Sequence, residues 1–422
     1  MHDPLLDFHY KGFPPAAGAL HRSAIGLQGW NVLRGDLPLP LAVLKRSALE
    51  HNIAWMQDFC RQRGVDIAPH GKTSMSPQLF QRQLDAGAWG ISFASVTQLL
   101  TGVAYGVRRC IVANQVYMAQ DLRSIAALAA SQPEVRVYFL IDSAAQLRLI
   151  DDWFATQGAA APFNVLIEIG VTGGRTGCRT REDALALARQ AAASRAVRLC
   201  GIECYEGPSF GTDAEAEAAK VAALLERVRD IACDCEREGW FAEAEVIISG
   251  GGSALFDLVA AGLRPRLQRP VRALLRSGCY VVSDHAFYHD MSAAIRHRTG
   301  CPEALHAALE VWASVQSLPE PGLAILAVGK RDISFDLHMP LPLSYLPGGA
   351  LRPRALPDGY CISALNDQHA YLRWEGDDRA GLQVGGLVAL GIAHPCTTFD
   401  KWRWMPVVDD DYSVVDAVTI SF

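Results

Sequence analysis

The sequence predicts an α/β protein built as a closed (β/α)8 barrel with a C-terminal β-domain. Three observations carry this reading. Between about residues 65 and 285, eight short apolar, β-rich runs alternate with longer Ala/Leu/Arg segments, the pattern of parallel strands joined by crossover helices. After about Pro302, proline and glycine become frequent and helical periodicity fades. The chain's 422 residues exceed the ~250 that such a barrel needs, which leaves room for a second domain.

The eight runs lie near Val65 to Gly71, Trp89 to Ser95, Arg109 to Gln115, Val135 to Asp142, Phe163 to Gly170, Leu199 to Glu206, Glu245 to Gly251 and Ala273 to Ser283. Stretches between them, such as Asp183 to Ala196 and Ala214 to Glu238, are rich enough in Ala, Leu, Glu and Arg for three or more helical turns. Pro38 to Lys45 reads as a further strand ahead of a helix and is a candidate to pack with the C-terminal domain. The barrel is therefore expected over residues 46–300, and the β-rich domain over 1–45 and 301–422. In that second domain the runs Leu323 to Val328 and Leu382 to Leu390 are short, as β-strands are.

Composition excludes several classes. Half of the residues are hydrophobic and a fifth charged, which argues for a globular protein with a large core. A net charge of -6 and a pI near 6.1 lack the basic excess that phosphate-backbone binding requires, so small molecules are expected partners and nucleic acid is not. Met1 to Pro15 mixes acids, aromatics and prolines where a signal peptide has a basic start and an apolar run. With no uninterrupted apolar stretch of about 18 residues, a cytoplasmic chain without a membrane span is expected. The eleven cysteines are odd in number and lack CxxC or zinc-finger spacing, so most read as buried thiols; Cys396 is the exception.

Candidate chemistry gathers at strand ends, where barrel enzymes keep their active sites. Ile67-Ala68-Pro69-His70-Gly71-Lys72-Thr73 puts Lys72 at the end of the first strand, where a desolvated amine can form an imine; a solvated surface charge is the plain alternative. Ser249-Gly250-Gly251-Gly252-Ser253 follows the seventh strand and can aim backbone N–H groups at a phosphate, or be a tight turn. It is neither a Walker A motif nor a GxGxxG fingerprint. Arg175-Thr176-Gly177 follows the fifth strand, and Arg175 can hold an anionic group or brace a loop. Tyr205-Glu206-Gly207 follows the sixth, with Tyr205 able to meet a cofactor's ring nitrogen. In Arg276-Ser277-Gly278-Cys279-Tyr280, Tyr280 can close over a phosphate or be core. In His394-Pro395-Cys396-Thr397-Thr398, an extended chain would turn His394 and Cys396 to the same side, an imidazole and thiol pair suited to Zn²⁺. Two such ligands make an incomplete site: a structural zinc takes four protein ligands, whereas a catalytic one leaves positions open for water and substrate.

Taken together, Pro69-His70-Gly71-Lys72-Thr73, Arg175-Thr176-Gly177, Tyr205-Glu206-Gly207, Ser249-Gly250-Gly251-Gly252 and His394-Pro395-Cys396-Thr397-Thr398 resemble the D-serine dehydratase and D-threonine aldolase family in order and spacing. The resemblance implies an alanine-racemase-like barrel binding pyridoxal 5′-phosphate, with Lys72 as the imine-forming lysine and the triple glycine as phosphate cradle. It further implies Tyr205 near the pyridine nitrogen, His394 and Cys396 as metal ligands, and a homodimer with active sites near the subunit interface. The sequence departs from the family pattern at Ala68, Ser74 and Met75 and at Gln368-His369-Ala370. Its segment Gly329-Lys330-Arg331-Asp332-Ile333-Ser334-Phe335-Asp336 resembles the branch of amino-acid deaminases.

The expected activity is elimination of the β-hydroxyl from a D-3-hydroxy amino acid such as D-serine, giving an oxo acid and ammonia, with zinc or another divalent metal assisting. The alternative is metal-dependent cleavage of the D-threonine aldolase kind to glycine and an aldehyde. Cys396 favours the first, because a thiolate selects zinc over harder ions. An amino-acid racemase or a non-catalytic cofactor carrier would leave His394 and Cys396 without a role.

Overall fold

The computed structural model describes residues 3–157, 161–207, 214–376 and 381–422. The chain forms two compact units, one of Met56–Lys72 and Arg82–Gly278, the other of Met1–Trp55, Thr73–Gln81 and Cys279–Phe422.

The first unit carries eight parallel strands: Asp66–Ile67, Ile91–Phe93, Arg109–Gln115, Arg136–Ile141, Phe163–Ile169, Val197–Cys204, Val246–Gly250 and Val271–Leu275. From the second strand on each pairs with the next, and the eighth returns to the first through Leu274 opposite Asp66. The first and second strands are joined by a bridge between His70 and Ser92 and by Ser92 Oγ donating to the Ala68 carbonyl at 2.8 Å. The sheet is thus closed, as the eight apolar runs require. The first strand is shorter than its run, since Pro69 has no N–H to extend a ladder. The eighth run also departs from expectation: the strand ends at Leu275, and Cys279–Val281 is a 3-10 turn.

Alternation along these strands sends Ala68, Ile111, Tyr138, Leu140, Leu166, Cys200, Ile247 and Leu274 into one buried cluster. Two of the crossover helices are capped by short polar residues. Thr180 Oγ1 accepts from the Asp183 N–H at 3.1 Å at the start of Arg181–Ala193, and Ser95 Oγ accepts from the Gln98 N–H at 3.3 Å at the start of Val96–Ala104.

The second unit is organised by the long strand Leu309–Glu320. It pairs antiparallel with Leu387–Gly391, Leu323–Leu326 and Leu41–Lys45, so the run ahead of the first helix, Arg46–Arg63, joins a sheet made otherwise from the C-terminal third. Trp312, Tyr345, Phe399, Trp402 and Trp404 are fully buried there. Glu310 is buried with partners, accepting from the Tyr412 hydroxyl at 2.9 Å and facing Lys45 Nζ at 3.5 Å. Among the described residues no helix is long and apolar enough to cross a membrane.

Leu166 is wholly buried and belongs to the barrel's inner hydrophobic cluster. Leu166→Ala is expected to destabilise the protein by about 2–5 kcal/mol, read as a lower urea midpoint at unchanged slope.

Candidate active site

A parallel barrel gathers the C-terminal ends of all its strands at one rim. Strand register sets Glu168 beside Glu203, Glu203 beside Ser249 and Ser249 beside Leu274, and Leu274 belongs to the inner cluster, so this row faces inward. Glu203 is 1% exposed and meets the guanidinium of Arg276, itself 7% exposed, which also donates to the Cys204 carbonyl at 3.2 Å. Burial pushes the Glu203 carboxyl up to about 8 despite Arg276, with Glu168 and Glu206 adding to the rise. Glu168 accepts from Gln115 Nε2 and, at 2.9 Å, from the Thr176 hydroxyl.

Lys72 is half-buried in the 3-10 turn Gly71–Thr73 just past the first strand. His70, two residues earlier, is held well below the usual histidine range by burial and then by the positive charges of Lys72, Arg276 and Arg175. Its imidazole is neutral at pH 7. The triple glycine leaves the seventh strand as a loop. Gly251 has φ +90°, and a Cβ there would lie 3.0 Å from Leu275 Cδ2. A Cβ on Gly252 would lie 2.9 Å from the Tyr205 ring. The Gly252 N–H donates to Glu206 Oε1 at 2.6 Å, and its carbonyl accepts from the Ser277 hydroxyl at 2.9 Å. Arg175 stacks its guanidinium 4.7 Å from the centre of the Tyr205 ring.

The first unit therefore holds Lys72, Arg175, Tyr205, Ser249, Gly250, Gly251, Gly252 and Ser253. Tyr280 belongs to the other unit, where it is 1% exposed. So do His394 and Cys396. The His394 ring is tied at Nδ1 to Asp336 Oδ2 at 2.5 Å, and Thr397 Oγ1 donates to the other Asp336 oxygen at 2.8 Å. His394 precedes the short helix Pro395–Phe399 rather than continuing a strand, so the expected alternation does not set its direction. Cys396 Sγ lies 3.5 Å from Thr73 Oγ1 and 3.6 Å from Cys279 Sγ. The hydrogen bond with Cys396, and then burial, hold the Cys279 thiol well above its ordinary range. Among the described residues no three His, Cys, Asp or Glu side chains already surround a common point.

Sequence reasoning passed over His70, Glu168, Glu203, Arg276, Cys279 and Asp336 as site residues. The signal for two of them was available: a carboxylate within the apolar run Val197–Cys204, and an arginine directly after Val271–Leu275, are costly to bury without a shared purpose. The segment Gly329 to Asp336 stood out only by its resemblance, and nothing in it tied Asp336 to His394, which lies 58 positions later.

Fold and rim together define a barrel of the alanine racemase type. The model of the family "Alanine racemase, N-terminal domain" matches residues 44–265, and the chain belongs to that family. Residues 308–408 match a "Putative serine dehydratase domain". A D-threonine aldolase from Arthrobacter sp is 28% identical over 371 residues, covering 88% of this chain and 89% of that one. A D-threo-3-hydroxyaspartate dehydratase from Delftia sp. (strain HT23) is 28% identical over 377 residues, covering 86% and 92%. In structure, a D-threonine aldolase from Filomicrobium marinum superposes with a TM-score of 0.74 at 23% identity, over 91% of this chain and 95% of that one. The Delftia dehydratase superposes at 0.72 and 24%, over 93% and 99%. These named relatives are lyases.

Two outcomes follow from the rim. Glu203 in the folded barrel keeps a proton that the unfolded chain releases in the ordinary glutamate range, so stability is lost as pH rises from about 5 through about 8. In Glu203→Gln that loss should shrink, measured as urea midpoints at both ends of the window. If the glycine loop receives a cofactor phosphate, Gly251→Val should fold yet bind pyridoxal phosphate at least about tenfold more weakly, because a branched side chain is strained at φ +90° and would block backbone approach; titration with the cofactor reads the change.

Proposed function

We propose that this chain is a pyridoxal phosphate- and zinc-dependent lyase that eliminates the β-hydroxyl of a D-3-hydroxy amino acid such as D-serine, releasing an oxo acid and ammonia. The observation that carries the reading is the donor pair of His394, oriented at Nδ1 by Asp336, and Cys396. A carboxylate on one ring nitrogen leaves the other free as a ligand, and thiol with imidazole is a soft set suited to zinc.

The first unit suits the cofactor. Ser249 Oγ, His70 Nδ1, Arg276 Nε and Glu203 Oε2 are buried without hydrogen-bond partners among the described residues, and Gly250–Gly252 form a cradle that any Cβ would fill. In this reading Lys72 would bind the cofactor covalently, Ser249 to Ser253 would hold its phosphate, Tyr205 would meet its pyridine nitrogen and Arg175 an anionic group. The bound cofactor supplies an electron sink for the substrate's α-carbon. Lys72 Nζ, in the turn just past the first strand, would be the base that takes the α-proton. Neutral His70 adds no further positive charge beside that amine. His394 and Cys396 would hold a metal, which would supply Lewis acidity for a hydroxyl that leaves poorly unaided. Thr73 Oγ1 lies 3.5 Å from Cys396 Sγ. A cytoplasmic homodimer is part of the same reading.

Retro-aldol cleavage to glycine and an aldehyde is the second reading. It draws on the relatives: at 28% identity, one is named an aldolase and another a dehydratase. A Cys-to-Ala mutant of a D-threo-3-hydroxyaspartate dehydratase, 24% identical over 93% of this chain, has a structure in a metal-free form.

The test is to give the holoenzyme D-serine, D-threonine and 3-hydroxy-D-aspartate and separate oxo acid plus ammonia from glycine plus aldehyde. Ammonia release is expected to vanish in chelator and in Cys396→Ala while cofactor colour persists, and Lys72→Ala should lose both. Full activity in chelator, with no divalent ion bound, would overturn the proposal.

A further inference from the structure

Cys279 opens the 3-10 turn Cys279–Val281 directly after the last barrel strand and is buried, and Cys396 lies in the first turn of Pro395–Phe399. Their sulfurs stand 3.6 Å apart although 117 positions separate them in sequence. That distance is far beyond the ~2.05 Å of a disulfide. It is close to the edge of a tetrahedral zinc site: two Zn–S bonds of ~2.3 Å at the tetrahedral angle place their sulfurs about 3.8 Å apart. The Thr73 hydroxyl lies 3.7 Å from Cys279 Sγ and 3.5 Å from Cys396 Sγ, and the Tyr288 side chain also hydrogen-bonds Cys279. One sulfur pair thus has hydroxyl groups at hand to support negative charge, the outer arrangement that metal-bound thiolates have.

We propose that Cys279 is a second thiolate ligand of the metal, so that Cys279, Cys396 and His394 form a Cys₂His zinc site with one position open to substrate. This rests on the metal reading of His394 and Cys396 given above. The two sulfurs are the preformed part of the site. His394, held at Nδ1 by Asp336, supplies the third donor through its other ring nitrogen. Each thiol loses its proton to solvent on binding, and the divalent charge offsets the two adjacent thiolates. Three protein ligands with one open position are what a catalytic zinc takes, and a two-thiolate set disfavours magnesium and manganese, which prefer oxygen.

The experiment is X-ray absorption at the zinc edge of the wild-type holoenzyme, which needs no mutant to fold. Two sulfurs at about 2.3 Å and one nitrogen in the shell are the expected result. One sulfur with one nitrogen would overturn the role of Cys279 and leave His394 and Cys396 as ligands; absence of any bound zinc would overturn both readings. The cobalt-substituted protein gives a second measurement. Its sulfur-to-metal charge-transfer absorbance should fall by about half in Cys279→Ser, with zinc affinity reduced at least about tenfold in competition with a chromophoric chelator. Unchanged absorbance and affinity in a folded Cys279→Ser would reject the proposal.

Discussion

Arg276 and Glu203 face each other at the end of the barrel, both buried, and the rim is arranged around them. Removing two charges from water is costly, and a lone ion pair repays that cost only with good geometry and further hydrogen bonds. Arg276 gains the Cys204 carbonyl as a second acceptor, yet its Nε and Glu203 Oε2 have no partner among the described residues. A site that buries polar atoms this way is tolerable if a polar ligand meets them, and this is why the rim reads as a binding surface rather than packing. The raised Glu203 carboxyl fits the same account, since a proton relieves part of the burial cost.

Around this pair the backbone and side chains divide the work. Gly251 and Gly252 bring main chain close to where a phosphate can sit, and Glu206 and Ser277 fix that loop through its N–H and carbonyl. Loops on the neighbouring strands are held by their own hydrogen bonds. The Gly177 N–H donates to Asp142 at 3.0 Å, and Arg179 gathers the carbonyls of Gly174, Thr176 and Gly177. These bonds limit how far Arg175 and Thr176 can move, which suits a site whose partners must meet within a fraction of an ångström.

In the second unit the same economy operates with softer atoms. Cys396 would be an ordinary half-buried thiol without Thr73 and Cys279 beside it, and His394 would be a freely turning surface imidazole without Asp336. Seven of the eleven cysteines are buried free thiols, as the scattered spacing suggested, and of these Cys279 has a second sulfur at 3.6 Å.

The sequence by itself determined the barrel, because eight apolar runs of strand length separated by helix-forming stretches have few other ways to bury their faces. It also marked Lys72, the triple glycine and the His394 to Cys396 segment, since each is a local pattern: a lysine past a strand, three residues without side chains, two soft donors close in sequence. Glu203, Arg276, Cys279 and Asp336 were decided only by tertiary structure. Their meaning lies in partners 73, 117 and 58 positions away, brought near by strand register and by the turn after the eighth strand. A carboxylate within an apolar strand looks like an interruption until closure of the sheet puts a guanidinium against it. A cysteine after a glycine looks like core until folding sets a second sulfur beside it, because pairing energies depend on distance in space and not along the chain.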